Sequence, residues 1–410
     1  MKLSRRAIKM PASPIRKLHP LAVAAKKKGV DVIHLNIGQP DLATPRQFFE
    51  TAAQYPSPVL AYSPSQGIPE FIDGLIQYYK QCEMHVEPSQ VLATIGGSEA
   101  IVMALLAVAN PGERVLCFEP FYTNYYSLAL TIGVRVDVCS TSIHDGFRLP
   151  SEDVIRTALT PKTRAILFCN PNNPTGTVLT CGEIDMLTRI VKDKDIFLIA
   201  DEVYREFCYD RPFVSIWHQQ GLDDRLILVD SLSKRFSACG ARLGSILTRN
   251  EQLQQTFLRI GQARLSAGTF DQYAAVPFLS LERDYYAGVI EEYRRRRDVL
   301  VDGLLRIPGV ATRKPEGAFY LLAELPIDDS NRFCAWLLTH FQYQGATVML
   351  APADGFYLTR GKGKREVRLA YVVNVDRLRV ALSILEKALE VYPGRVKPSV
   401  AEKELEPVGA

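Results

Sequence analysis

The chain has 410 residues, 47% of them hydrophobic and 23% charged, with a formal net charge of +4 at pH 7. That composition is typical of a folded globular protein long enough for two cores, and a charge this small for the length argues against nucleic acid or an anionic membrane as the main partner. The eight cysteines include no C-x-x-C pair and the six histidines no H-x-x-x-H spacing, so neither a disulfide framework nor a metal site is expected.

The basic start, MKLSRRAIKMPASP, is not followed by the apolar segment of a secretory signal. No apolar run of about 18 residues occurs either, so a cytoplasmic protein is expected. Residues 1–45 are too few for a domain and are expected to pack with the C-terminal part. From VLATI (91–95) the pattern alternates short apolar runs with helix-length segments. RVLCF (114–118), VRVDVC (134–139), RAILFC (164–169), IFLIA (196–200), LILVD (226–230) and GSILT (244–248) continue the series. Runs apolar on both faces and separated by helices predict an α/β architecture, in which residues 46–285 form a large domain with a mostly parallel seven-stranded sheet between helices. A long amphipathic helix is expected over 284–306, and GAFYLLAEL, ATVMLAP and EVRLAYV read as strands of a smaller sheet, closed by a helix over VDRLRVALSILEKALEVY. Residues 286–392 should thus form, with the N-terminal part, a smaller α+β domain. The polar, proline-interrupted stretch 393–410 is expected to be disordered.

In such a sheet, functional residues collect where the strands end. After VLATI comes Gly96-Gly97-Ser98-Glu99-Ala100, whose exposed N–H groups at a helix start suit a phosphate, although a glycine-flanked serine cap is common. Neither G-x-G-x-x-G nor G-x-x-x-x-G-K-[ST] is present, which lowers nicotinamide and nucleotide readings. After RAILFC comes N170-P-N-N-P-T-G176, and after IFLIA comes D201-E-V-Y204. A carboxylate closing an apolar strand, as Asp201 does, costs several kcal/mol to bury unless a cation meets it. After LILVD comes Ser231-Leu-Ser-Lys234-Arg235, with Arg242 eight residues beyond the lysine.

This ordered set resembles the class I aminotransferases, fold-type I pyridoxal-phosphate enzymes; NIGQPD (36–41), YSPSQGIPE (62–70) and VRLAYV (367–372) extend the likeness to about residue 392. The resemblance implies pyridoxal 5'-phosphate as cofactor. It implies that Lys234 forms the internal aldimine and later moves the substrate Cα proton, a task suited to an amine that loses its proton readily. Asp201 would face the pyridine nitrogen. Tyr204 and Asn173 would contact the ring oxygen, and Asn173 the substrate carboxylate as well. Gly97, Ser98, Ser231, Ser233 and Arg242 would hold the phosphate. Tyr122 would stack on the ring, or is only a helix-start aromatic. Gly38 and Arg368 would receive the substrate carboxylate, the arginine bidentately. Tyr62 would reach the phosphate of a neighbouring subunit, making the working unit a homodimer with shared sites. Arg235 matches no functional position and reads as a solvated or structural charge.

The same residues serve any α-amino acid, so the side chain stays open. Aspartate-using bacterial relatives often carry lysine where this chain has Ser98. Arg16, Lys17 or Arg264 would have to replace that cation, and each reads first as a surface charge; the cations in GFYLTRGKGKREVRLAYV either favour an acidic substrate or solvate a loop. The expected reaction is transamination between an L-amino acid, aspartate foremost, and 2-oxoglutarate. Alternatives are an aminotransferase for aromatic or neutral amino acids, a carbon–sulfur β-lyase of the same fold, and, more remotely, a non-catalytic regulator.

Overall fold

The computed structural model describes residues 2–396. Its strands are β1 (Asp31–His34), β2 (Val91–Thr94), β3 (Arg114–Glu119), β4 (Arg135–Ser140), β5 (Thr163–Cys169), β6 (Phe197–Asp201), β7 (Leu226–Ser231) and β8 (Gly244–Leu247), then β9 (Ala311–Thr312), β10 (Tyr320–Glu324), β11 (Ala346–Met349), β12 (Ala351–Pro352) and β13 (Glu366–Ala370). The chain divides into two compact units, one chiefly Gln39–Glu291, the other built from Ala12–Gly38, Glu292–Pro315 and the chain from Phe319 onward.

The first unit carries a seven-stranded sheet in the order β2-β8-β7-β6-β5-β3-β4. Strands β4, β3, β5, β6 and β7 run parallel, and β8 lies antiparallel between β7 and β2. The central strands are apolar on both faces because both are covered: Ala165 to Leu167, Leu198 to Ala200 and Leu226 to Val229 are all buried. Flanking helices have clear starts. Thr180 accepts from the Glu183 N–H while Glu183 reaches back to the Thr180 N–H, closing a capping box on helix Cys181–Lys194, and Asn250 caps Glu251–Ala263. Phe71, Leu75, Trp217, Phe236 and Phe278 anchor the core on one side of the sheet, each such side chain contributing about 1.5–3 kcal/mol by burial.

Register decides where the chain's polar turns lie. Cys169 pairs with Asp201 and Asp201 with Val229, while antiparallel β8 sets Gly244 opposite both Ser231 and Thr94. The segments that start at residues 95, 170, 202 and 232 therefore leave one edge of the sheet side by side.

The second unit contains a four-stranded sheet in the order β12-β13-β10-β9 and a separate parallel pair, β1 with β11. The run ATVMLAP, expected to be one strand of a single small sheet, divides after Met349. Residues Ala346–Met349 pair with β1, whereas Ala351 and Pro352 turn to β13. Pro352 has no N–H to donate, which suits the edge position that β12 occupies. Helix Val375–Val391, capped by Asn374, buries Leu378, Ala381, Ile384, Leu385 and Ala388. Of the stretch expected to be disordered, Arg395 bridges to Ile327 and the Val396 N–H reaches Pro326 O at 3.0 Å; residues 397–410 lie outside the described residues. Among the described residues no helix is long and apolar enough to cross a membrane.

Candidate active site

The helix Gly96–Val108 begins immediately after β2, with no side-chain cap on its first N–H groups. Gly96 has φ +69°, and a Cβ there would lie 2.6 Å from Arg242 Nη2. The guanidinium of Arg242 thus lies against the bare Cα of Gly96 at the positive end of a helix dipole. Gly97 packs with Val203, Ser231 and Val229, each 3.4 Å or more from an imagined Cβ. Gly244, opposite Ser231, could bear no side chain, because its Cβ would meet Asp230 O at 2.7 Å and Gly97 N at 2.9 Å. Two more hydroxyls complete the cradle: Ser231 Oγ donates to Ser233 Oγ at 2.9 Å and lies 3.0 Å from Leu243 O. The arginine is held by its own loop, donating from Nη1 to Cys239 O at 3.0 Å. Backbone donors at a helix start, two hydroxyls and an exposed guanidinium form a receptor for a dianion.

Beside the cradle, the short helix Leu232–Arg235 presents Lys234, which is half-buried with its Nζ 3.8 Å from Cys239 Sγ. The buried carboxylate of Asp201 accepts from Tyr125 OH at 2.6 Å and from Val203 N at 3.3 Å. Burial pushes its pKa up to about 6, against the pull of those two hydrogen bonds and of the Lys234 charge. Asp201 is therefore mostly ionised at neutral pH. Asn173 and Tyr204 are both buried and meet through Asn173 Nδ2 and Tyr204 OH at 3.4 Å. Tyr122 is half-buried, accepts from Asn124 Nδ2 at 2.9 Å, and is braced edge-on by Tyr125, with centroids 5.6 Å apart.

In the second unit, Arg368 is buried between Tyr320 and Phe356, its guanidinium carbon 4.5 and 5.0 Å from the two ring centroids, and Nη2 donates to Asn36 O at 2.5 Å. Gly38 lies against the Tyr320 hydroxyl so closely that no side chain fits there. Tyr62 is 82% exposed, close in sequence to exposed Val59 and Leu60.

One charge, Arg264, differs from its sequence reading, and another, Arg235, falls to the structural one of its two readings. Arg235 is not solvated: it is fully buried and pairs with Asp230 and Glu206. Arg264 is no surface charge, since its side chain is only 15% exposed, pairs with Glu99 at 3.1 Å and donates to Ala93 O at 2.6 Å. Arg16 and Lys17 are both exposed, as expected, with Lys17 3.7 Å from Asp354 and bonded to Asn331. Sequence reasoning passed over Tyr125 and Asp230. The second was findable, because Asp230 closes an apolar strand just as Asp201 does. Tyr125 was not, because only the fold brings a residue 76 positions earlier in the chain onto Asp201.

A mostly parallel sheet whose strand ends gather an anion cradle, a lysine and a buried carboxylate defines a cofactor-binding α/β fold. The family Aminotransferase class I and II matches residues 30–382. The chain is 32% identical over 390 residues to an aspartate aminotransferase of Thermotoga maritima, covering 94% of this chain and 99% of the relative. It is likewise 32% identical to aromatic-amino-acid aminotransferase 2 of Thermococcus litoralis, covering 95% and 99%. The solved structure of Thermus thermophilus aspartate aminotransferase with maleate superposes with a TM-score of 0.86 at 28% identity, covering 95% of this chain and all of that one. The chain belongs to the class I and II aminotransferases, and it is a pyridoxal-phosphate-dependent transaminase.

Proposed function

We propose that the enzyme moves an amino group between an L-amino acid, aspartate foremost, and 2-oxoglutarate, with Lys234 as the amine that bonds the cofactor and carries the proton. The observation behind this reading is the grouping of Lys234, Asp201, Tyr204 and Asn173 with the glycine, serine and arginine cradle at one edge of the first unit's sheet. Pyridoxal 5'-phosphate, when bound, supplies a ring that accepts electrons from the substrate Cα. The residues fit its shape and charge. The cradle at Gly97, Ser98, Ser231, Ser233 and Arg242 accommodates a phosphate where side chains would clash. Asp201, an acceptor kept ionised above about pH 6, holds a proton on the pyridine nitrogen. Tyr204 and Asn173 offer donors to the ring oxygen, and Tyr122 offers a flat face. Lys234 moves a proton at the substrate Cα.

Arg368 grips the substrate carboxylate, with the Gly38 backbone beside it. In this reading Tyr62, exposed with Val59 and Leu60, would reach a second copy, and the working unit we propose is a homodimer in the cytoplasm.

One observation favours a second reading, a preference for aromatic amino acids. Ser98 stands where a cation would hold a distal carboxylate, and Arg264 is committed to Glu99, while a relative named as an aromatic-amino-acid aminotransferase is as similar as one named as an aspartate aminotransferase. The test mixes the cofactor-loaded enzyme with single amino acids and follows the cofactor's absorption. Rapid conversion by aspartate and glutamate supports the first reading. Aspartate inert and phenylalanine or tyrosine fast refutes it in favour of the second.

A further inference from the structure

Directly behind the cradle lies a buried charge cluster that transamination does not call for. Arg235 Nη2 donates to Asp230 Oδ2 at 2.5 Å and lies 3.2 Å from Ser231 O, while Nη1 donates to Glu206 Oε1 at 2.8 Å and to Tyr78 OH. Its guanidinium carbon sits 4.2 Å from the Tyr78 ring centroid. Arg205 pairs with Glu202 at 3.2 Å and with Asp230 at 3.8 Å. Asp230 and Glu202 have further partners, whereas Glu206 Oε2 is buried without a hydrogen bond. Asp230 Oδ1 accepts the Ser231 N–H at 2.7 Å, Asp230 Oδ2 accepts Tyr79 OH at 3.0 Å, and Glu202 accepts from Ser215 Oγ and Ile216 N at 2.7 and 2.9 Å.

Stability is a poor explanation for this arrangement. Desolvating two guanidinium groups and three carboxylates offsets most of their attraction, and apolar replacements of buried ion pairs are often neutral or stabilising. Here the carboxylates outnumber the cations, and burial pushes Glu202 and Glu206 each up to about 7, the mark of a cluster that is costly to bury. What the cluster does supply is fixed geometry. Arg235 follows Lys234 directly, on a helix of only four residues. Glu206 follows Asp201 and Tyr204 on the segment leaving β6. A planar fork bonded to Asp230 on one side and Glu206 on the other therefore spans the two segments that carry the amine and the ring-facing carboxylate. Tyr285 OH adds a bond to Arg235 O at 3.2 Å, closing the helix from the other side.

We propose that Arg235 is a positioning residue for catalysis: its guanidinium ties the Lys234 helix to the Asp201–Glu206 segment and holds the amine and carboxylate at a fixed spacing. The inference rests on the roles given to Lys234 and Asp201 above. Lysine at this position could bond one carboxylate but not both in the fork geometry.

The test uses the cofactor-loaded enzyme and two variants, Arg235→Lys and Glu206→Leu. The second leaves Arg235 paired with Asp230 and replaces a nearly buried carboxylate with an apolar side chain of similar size, so it decides the question if the first fails to fold. Three quantities are read: the thermal midpoint, the kcat and KM for the amino acid half-reaction, and the pH midpoint at which the bound cofactor's absorption changes. Loosening the spacing is expected to lower kcat by about tenfold or more with KM little changed, and to move the absorption midpoint by about half a unit or more. A purely structural residue would lower the thermal midpoint and leave the other two readouts alone. The proposal is overturned if Glu206→Leu keeps both the wild-type kcat and the wild-type absorption midpoint. Failure of the underlying reading would look different: the wild-type enzyme itself would show no cofactor absorption and no transamination.

Discussion

Replacing Asp201 by asparagine is expected to stabilise the cofactor-free protein while nearly abolishing transamination. Burial holds the Asp201 carboxyl at about 6, against 3.8 for a free aspartate. Above pH 6 the folded protein therefore carries a buried charge that costs about 3 kcal/mol, at about 1.4 kcal/mol per unit. Asparagine keeps an oxygen for the Tyr125 hydroxyl but offers the Val203 N–H an amide nitrogen, losing a hydrogen bond worth about 1 kcal/mol. The net gain is about 2 kcal/mol at pH 8. The sign with pH follows from the raised folded value. Wild-type folding takes up a proton at Asp201 as pH falls, so wild type gains on the variant through the window from 6 toward 3.8, and the gap should shrink to under about 1 kcal/mol by pH 5. Glu202 and Glu206 titrate in both proteins and cancel. Urea midpoints of the two cofactor-free proteins, at equal concentration and at pH 8 and pH 5, measure the effect. A variant less stable than wild type at pH 8, or a gap that does not narrow at pH 5, would refute the reasoning.

Tyr125→Phe removes the hydroxyl that stabilises the Asp201 anion, so the Asp201 pKa should rise further. The acid limb of the kcat/KM profile should then shift upward by about one unit; an unmoved limb would mean that Tyr125 does not tune the carboxylate. Arg368→Lys should raise KM for the amino acid by about tenfold or more through loss of the two-pronged grip, with cofactor affinity unchanged. Equal losses of substrate and cofactor would point to misfolding of the second unit.

Much of the candidate site was legible because it is carried by short, contiguous motifs. Gly96-Gly97-Ser98, Asn173, Asp201 with Tyr204, and Ser231 through Lys234 each follow an apolar run, and apolar runs of that length fix both the strands and where they end. The substrate's distal contact was not legible. Whether Arg264 could serve depends on whether Glu99, 165 positions earlier, reaches it, and that is decided by helix packing. The small sheets were misread for a related reason: ATVMLAP has uniform strand character, and only its partners, β1 for the first half and β13 for the second, reveal the break.

The sequence by itself determined the α/β order, the strand ends and the identity of the groups that could do chemistry, because hydrophobic period and residue type are local properties. Only the tertiary structure decided how those groups are tuned. It buried Asp201, pushing that carboxyl up to about 6, and put on it the Tyr125 hydroxyl that pulls the other way. It also decided that Arg235, readable as either a solvated or a structural charge, is the buried link between Asp230 and Glu206. Burial and hydrogen bonding between distant residues depend on which surfaces meet, and a linear pattern of polar and apolar residues does not contain that.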